Sequence, residues 1–136
     1  MKSLADQLAH AYRTQEGYYR QVRLLVNEQS HVMHTEPDPT VVLDLCRQVE
    51  GLMEQISTIE RAIEPTKEVW ERDRTDPDGA LNGVLESIES EIEQISQLQE
   101  GVQHSLLDYI RHRQQQTDDV RASMNASRAR TLYKAG

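Results

Sequence analysis

Two histidines of the chain stand at a spacing that could bind a metal ion. His31 and His34 lie one helical turn apart, and Glu36 follows two residues later. Structural and catalytic zinc sites bring together three or four converging ligands, and the sequence shows no further cluster of ligands. We therefore interpret these residues as the polar end of a helix beside a solvated loop, and we expect neither a metal nor another cofactor.

Cys46 and a run of carboxylates are the other residues that could take part in catalysis. A nucleophilic cysteine needs a base and a third group that orients this base, and nothing in the sequence singles out such a pair. The carboxylates of residues 86–93 recur one helical turn apart, but a di-metal bundle also needs Glu-x-x-His motifs on facing helices. We interpret Cys46 as a partly buried structural thiol and the carboxylates as a solvated helix face. No catalytic residue is predicted, and we expect the protein not to be an enzyme.

The composition favours a thin helical core. Only 37% of the 136 residues are hydrophobic, 4% are aromatic and none is Phe, which suits helices that pack through a narrow apolar stripe. The net charge of −8 argues against a nucleic-acid partner, because such proteins need an excess of Lys and Arg. A single cysteine and an N-terminus without a long apolar run predict a cytoplasmic protein that does not insert into a membrane.

Three segments carry the alternating three- and four-residue spacing of a heptad seam, the apolar stripe through which helices pack against each other. The spacing predicts helices over residues 3–34, 41–73 and 77–110, with N-caps at Ser3, Thr40 and Asp76 and a kink at Pro65. The predicted fold is all-α: an elongated antiparallel three-helix bundle, or a long helical hairpin with a third helix. The seam positions are Leu4, Leu8, Ala11, Gln15, Tyr18, Val22, Leu25, Gln29 and Val32; then Val42, Leu45, Val49, Leu52, Ile56, Ile59, Ile63 and Trp70; then Leu81, Leu85, Ile88, Ile92, Ile95, Gln99, Val102, Leu106 and Tyr109.

Residues 111–136 form a polar, basic C-terminal extension of this predicted bundle, residues 1–110. The extension holds six basic and two acidic side chains, a net charge of +4, whereas the first 110 residues hold nine basic and 21 acidic side chains, a net charge of −12. Such asymmetry is typical of an interaction tail, although the basic residues could equally complement the helix dipole or fold back on the acidic bundle. We expect the extension to be helical or disordered and flexible. Its apolar pair, Leu132 and Tyr133, is predicted to dock into a groove on a partner or on another copy of the chain.

The order of these features resembles the flagellar type III export chaperones of the FlgN type, and the resemblance covers most of the chain. The stretch YYRQVRLLVNEQSHVMHTEPDPTVVLDLCRQVEGLMEQISTIERA is similar to the first hairpin of that family. LQEGVQHSLLDYI stands where the family has an apolar helix with asparagines, and the ending TLYKAG resembles the family's tail. The sequence departs from the family at Gly101 and Gln103, which replace the asparagines, and at Gln48 or Glu50, which replace a lysine.

The resemblance implies a chaperone of hook-associated (hook–filament junction) proteins. Such a protein would bind the C-terminal helical region of its client, prevent premature assembly and deliver the client to the export apparatus. The alternative is a structural or adaptor coiled-coil protein that self-associates through its heptad seams, with the seam glutamines setting the register; whether the chain is a monomer or a homodimer is left open. The residues expected to bind the partner are Leu98, Val102, Leu106, Leu107, Tyr109, Ile110, Leu132 and Tyr133.

Overall fold

The described part of the chain folds into three α-helices that pack against each other. The computed structural model describes the backbone of residues 3–135 and the side chains of residues 3–131. Within this range the helices are α1, Leu4–Thr35, α2, Pro39–Asp73, and α3, Ala80–Ala135, and the described backbone contains no strand. The all-α prediction is confirmed.

The chain divides into two compact units, Met1–Val102 and Gln103–Gly136. The first unit contains α1, α2 and the beginning of α3. In it, α2 runs antiparallel to α1, because Gln15 contacts Ile56 whereas Gln29 contacts Val42. The second unit contains the remainder of α3, which continues as helix beyond Ile110 to Ala135.

The first two helices begin at short polar side chains that accept hydrogen bonds from the first turn. Ser3 caps α1 as predicted, since its Oγ accepts a hydrogen bond from the Asp6 N–H at 3.1 Å. The predicted cap of α2 at Thr40 was wrong. Asp38 is the N-cap, with its Oδ1 3.0 Å from the Thr40 amide nitrogen. Pro39 occupies the first helical position, where its missing N–H costs no hydrogen bond.

α3 begins at Ala80 rather than at residue 77 because a turn intervenes. The turn is closed by the Gly79 N–H, which donates to the Asp76 carbonyl at 3.2 Å, and Gly79 has φ +70°, a conformation that favours glycine. The Asp76 carboxylate still caps the helix. It accepts hydrogen bonds from the N–H groups of Leu81 at 3.3 Å and Asn82 at 2.9 Å.

α2 continues through Pro65 without a break and ends at Asp73. Its C-cap is Arg74, in the left-handed conformation with φ +50° and ψ +37°. The Arg74 N–H donates to the Trp70 carbonyl at 2.8 Å, and the Trp70 indole N–H donates to the Thr75 carbonyl at 3.0 Å. The indole therefore ties the last turn of α2 to the link with α3.

α1 buries a wider face than a single heptad seam, because it packs against both α2 and α3. The seam residues Leu8, Gln15, Val22 and Gln29 are buried as the spacing predicts. A second line of α1 residues is also buried: Ala5, Ala9, Tyr12, Val26 and Met33. One cluster joins part of this line to Leu81, Val84 and Ile88 of α3, with Tyr19, Ile63, Trp70 and Leu85 packed around it.

The seams of the other two helices are less completely buried. On α2 only Val42, Leu45 and Ile56 are buried, and the remaining seam residues are half-buried. On α3 the predicted seam positions Ile92 and Gln99 are exposed, whereas Leu81, Ile88, Ile95 and Val102 are buried. The bundle therefore leaves apolar side chains accessible along its grooves.

Candidate partner-binding surfaces

The predicted binding residues of the first unit are largely covered. Val102 is only 5% exposed, so its side chain faces packed atoms rather than solvent. Leu98 is half-buried and lines a shallow pocket of about 360 Å³ with Arg23 and Asn27 of α1. These two residues thus contribute little free apolar surface.

The predicted binding residues of the second unit are more accessible. Leu107 is 52% exposed and Ile110 is 55% exposed, whereas Leu106 and Tyr109 are half-buried. The guanidinium of Arg113 lies 5.9 Å from the centre of the Tyr109 ring, within the range of a cation–π contact. The side chains of Leu132 and Tyr133, the remaining predicted pair, lie outside the described residues.

An apolar stripe continues along the second unit beyond the predicted residues. From residue 111 to residue 131 every side chain is exposed. Among them Val120 is 58% exposed and Met124 is 60% exposed. These two residues lie at helical spacing from Thr117 and Ile110, so the four share one face. We call Ile110, Thr117, Val120 and Met124 the α3 stripe.

Arginines border the α3 stripe. Arg121 and Arg128 line the same shallow surface as Thr117, Val120 and Met124. Guanidinium groups beside apolar side chains are suited to a partner that offers an apolar face flanked by carboxylates or amides. The sequence analysis did not identify Val120, because polar residues separate it from the last seam position. The signal that could have found it is its ten-residue distance from Ile110, which places it on the same helix face.

A second apolar surface lies between α1 and α2, and we call it the α1–α2 groove. It has a volume of about 600 Å³. Its apolar residues are Leu24 and Leu25 on α1 and Leu52 on α2, with Gly51 beside them. Leu24 is 59% exposed. The polar lining consists of Gln21, Glu28, Gln48 and Gln55. The heptad spacing predicted Leu25 and Leu52 as seam positions. It could not show which side of the α1–α2 hairpin is left exposed by α3.

Gln15 is the centre of a polar cluster that the sequence did not predict. It is 3% exposed, and its Nε2 donates to the Ile56 carbonyl at 3.1 Å and to the Glu60 carboxylate at 3.0 Å. Lys67 Nζ lies 3.3 Å from the other Glu60 oxygen. Burial, and secondarily the Glu60 carboxylate, raises the pKa of Tyr12 above its usual value. The cluster holds α1 and α2 in one register.

Gln29 makes a similar contact nearer the α1–α2 link. Its Nε2 donates to the Val42 carbonyl at 3.2 Å and lies 3.0 Å from Cys46 Sγ. Cys46 is half-buried. The side-chain amides of Gln15 and Gln29, the two buried seam glutamines, therefore find their hydrogen-bond partners within one chain. Gln99, the third seam glutamine, is exposed.

The interpretation of residues 86–93 as a solvated face was wrong for Glu91. The Glu91 side chain is 13% exposed and its Oε2 lies 2.6 Å from Arg23 Nε on α1. The Glu16 carboxylate of α1 lies 3.5 Å from Ser87 Oγ. α3 therefore uses one carboxylate of this run to pack against α1.

His31 and His34 do not converge on a common point. His31 is exposed, and His34 Nδ1 lies 2.6 Å from the Ser30 carbonyl of its own helix. Among the residues that the structure describes, no group of three His, Cys, Asp or Glu side chains could hold a metal ion.

No helix within the described part of the chain is long and apolar enough to cross a membrane. Comparisons with protein-family models, curated proteins and solved structures give no match for this chain.

Proposed function

We propose that the protein is a flagellar export chaperone that binds hook-associated proteins, prevents their premature assembly and delivers them to the export apparatus. It acts in the cytoplasm by binding and not by catalysis. The observation that supports this proposal is the α3 stripe, an apolar helical face on a segment in which every side chain from residue 111 to residue 131 is exposed.

A helical segment with an uncovered apolar face gains stability from a partner. Helices in water are marginal when no apolar face is packed, and most of their stability in proteins comes from tertiary contacts. Fully burying a side chain such as Ile110, Val120 or Met124 contributes about 1.5–3 kcal/mol. An amphipathic helix of the client, laid along the α3 stripe, would bury these side chains together.

The class of client follows from the resemblance to the FlgN-type chaperones. The hairpin stretch and the apolar segment that carry this resemblance correspond to α1, α2 and the middle of α3. Leu107 and Ile110, which the resembling segment contains, are among the most exposed apolar residues of the described chain. Leu107 would extend the contact with the client beyond Ile110, the first residue of the α3 stripe.

Amide hydrogen exchange of the full chain, with and without a hook–filament junction protein, tests the proposal. We expect slower exchange over residues 106–131 in the complex than in the free monomeric chain, and little change over α1 and α2. The double variant Ile110→Ser/Val120→Ser should weaken the complex at least tenfold. Val69→Ser is the matched control, because Val69 is a 47% exposed apolar residue on α2 and should leave binding unchanged.

The opposite results are equally clear. The chaperone proposal would be refuted if amide exchange over residues 106–131 did not change and no complex with the junction protein appeared on gel filtration. A tight obligate oligomer in the absence of any client, measured by sedimentation equilibrium, would instead support the structural or adaptor coiled coil.

A further inference from the structure

We infer that the α1–α2 groove receives the α3 stripe of a second copy of this chain, so that two copies form a weak dimer. This contact goes beyond the chaperone proposal, since it requires no client.

The α1–α2 groove is suited to binding a helix, because apolar side chains continue along both of its sides. Leu25, which lines the groove, is flanked at seven-residue intervals by Tyr18 and Val32, which are half-buried. On α2, Ile59 follows Leu52 by seven residues and is also half-buried. Residues seven apart share one face of a helix, so the half-buried apolar side chains continue along the hairpin on both sides of the groove.

α3 leaves this side of the hairpin uncovered. Arg23 of α1 contacts Glu91 of α3, and Leu25 is displaced from Arg23 by about 200° around the helix, at 100° per residue. The α1–α2 groove therefore lies on the flank of α1 that faces away from α3. A further helix seated there would complete a four-helix arrangement around α1 and α2.

Gly51 makes the close approach of a helix possible. A Cβ atom built on Gly51 would meet no atom within 4 Å, so the fold itself does not require glycine at this position. Its missing side chain leaves the wall of the groove open, and a partner backbone can come near α2 there.

Charge identifies the second copy's α3 stripe as the occupant. Glu28 lines the groove, and Asp44 lies seven residues before Gly51 on the same face of α2. The α3 stripe is bordered by Arg121 and Arg128, and it belongs to a segment of net charge +4 in a chain whose first 110 residues carry −12. Opposite charges beside complementary apolar faces fix orientation and favour association.

Each copy carries one α1–α2 groove and one α3 stripe, and the dimer that we infer exchanges them reciprocally, with the stripe of each copy in the groove of the other. The apolar contact rests mainly on Val120 and Met124, which predicts a dimer much weaker than an obligate one.

Sedimentation velocity of the full chain without client tests the inference. We expect the mass to rise from monomer to dimer with protein concentration, and to fall again when salt is raised from 0.1 M to 1 M, as the screening length shrinks from roughly 10 Å to 3 Å. Gly51→Leu should obstruct the groove and weaken dimerisation at least tenfold. Gly101→Leu is the matched control, because Gly101 is also helical with no atom within 4 Å of a built Cβ but lies outside the groove.

The fold provides an internal check on these variants. Leucine has a higher helix propensity than glycine, so neither Gly51→Leu nor Gly101→Leu should lower the melting temperature. The double variant Val120→Ser/Met124→Ser removes the other half of the contact and should also weaken dimerisation tenfold or more, with an unchanged melting temperature because both side chains are exposed.

Three results would overturn the inference. The first is a monomer at every concentration, and the second is a dimer that neither Gly51→Leu nor Val120→Ser/Met124→Ser weakens. The third is slow amide exchange in the α1–α2 groove that does not depend on protein concentration, because this would place the chain's own tail there. A monomer that still binds the junction protein would remove this inference and leave the chaperone proposal standing.

Discussion

Replacing Gln15 with Glu is the sharpest test of how α1 and α2 are held together. The substitution keeps the size of the side chain, so it opens no cavity. It removes the amide that donates to the Ile56 carbonyl and to Glu60, and at neutral pH it places a carboxylate against both acceptors. The new charge would be almost completely buried, since Gln15 is 3% exposed.

The expected loss is about 3 kcal/mol in the free energy of unfolding at pH 7. Leaving a buried charge without a partner costs about 3–5 kcal/mol. We expect the lower end because the Glu60 side chain is 39% exposed and can turn towards water. For a domain with a total stability of about 5–15 kcal/mol, this loss is readily measured by urea unfolding followed by far-UV circular dichroism.

The pH dependence of Gln15→Glu adds a second readout. Burial and the neighbouring Glu60 carboxylate should raise the pKa of the introduced carboxyl above its ordinary value of about 4.3. A pKa that is higher in the folded state than in the unfolded state means that stability is lost as pH rises through the folded value. The difference between the variant and the original protein should therefore shrink as pH falls towards 4.

Gln99→Glu is the control for this experiment, because Gln99 occupies the corresponding seam pattern on α3 but is exposed. It should change stability by less than about 0.5 kcal/mol. Equal effects of Gln15→Glu and Gln99→Glu at pH 7 would refute the role given to the Gln15 amide.

Two further predictions concern the start of α3 and the buried phenols. Asp76→Ala removes the acceptor for the Leu81 and Asn82 N–H groups and should cost about 1 kcal/mol, seen as a lower melting temperature; no change would show that the turn alone sets the helix start. Burial raises the pKa of Tyr12 and Tyr19, so stability should be full below pH 10 and decline as pH rises through the folded values. Ultraviolet absorbance should show Tyr12 and Tyr19 ionising above the ordinary tyrosine pKa of about 10, and their ionisation at the ordinary value would contradict this.

The helices were predictable from the sequence because their spacing is regular and the breaks between them contain proline. The exact starts were less predictable. Thr40 and Asp38 are both suitable caps, and Pro39 decides in favour of Asp38 by taking the first helical position. Likewise, the spacing around Pro77 could not reveal that Gly79 would turn the chain and delay α3 to Ala80.

The candidate surfaces were only partly predictable. Leu107 was identified from the resemblance and Ile110 as a further residue of the same segment, and the structure leaves both exposed. Val102 belongs to the same segment but is buried, because a heptad pattern marks apolar positions without showing which ones a neighbouring helix covers. The α1–α2 groove and the contact between Arg23 and Glu91 depend on which flank of α1 packs against α3, and periodicity within a single helix does not contain that information.

The exposed part of α3 also bears on what stability means for this protein. Residues 111–131 contribute helix without buried side chains, so little couples their melting to the packed core of the first unit. Their helix should fray gradually while the first unit unfolds cooperatively. A single two-state free energy of unfolding would therefore describe the first unit alone. On heating, the total loss of helical circular dichroism should exceed the loss that accompanies the cooperative unfolding of the first unit.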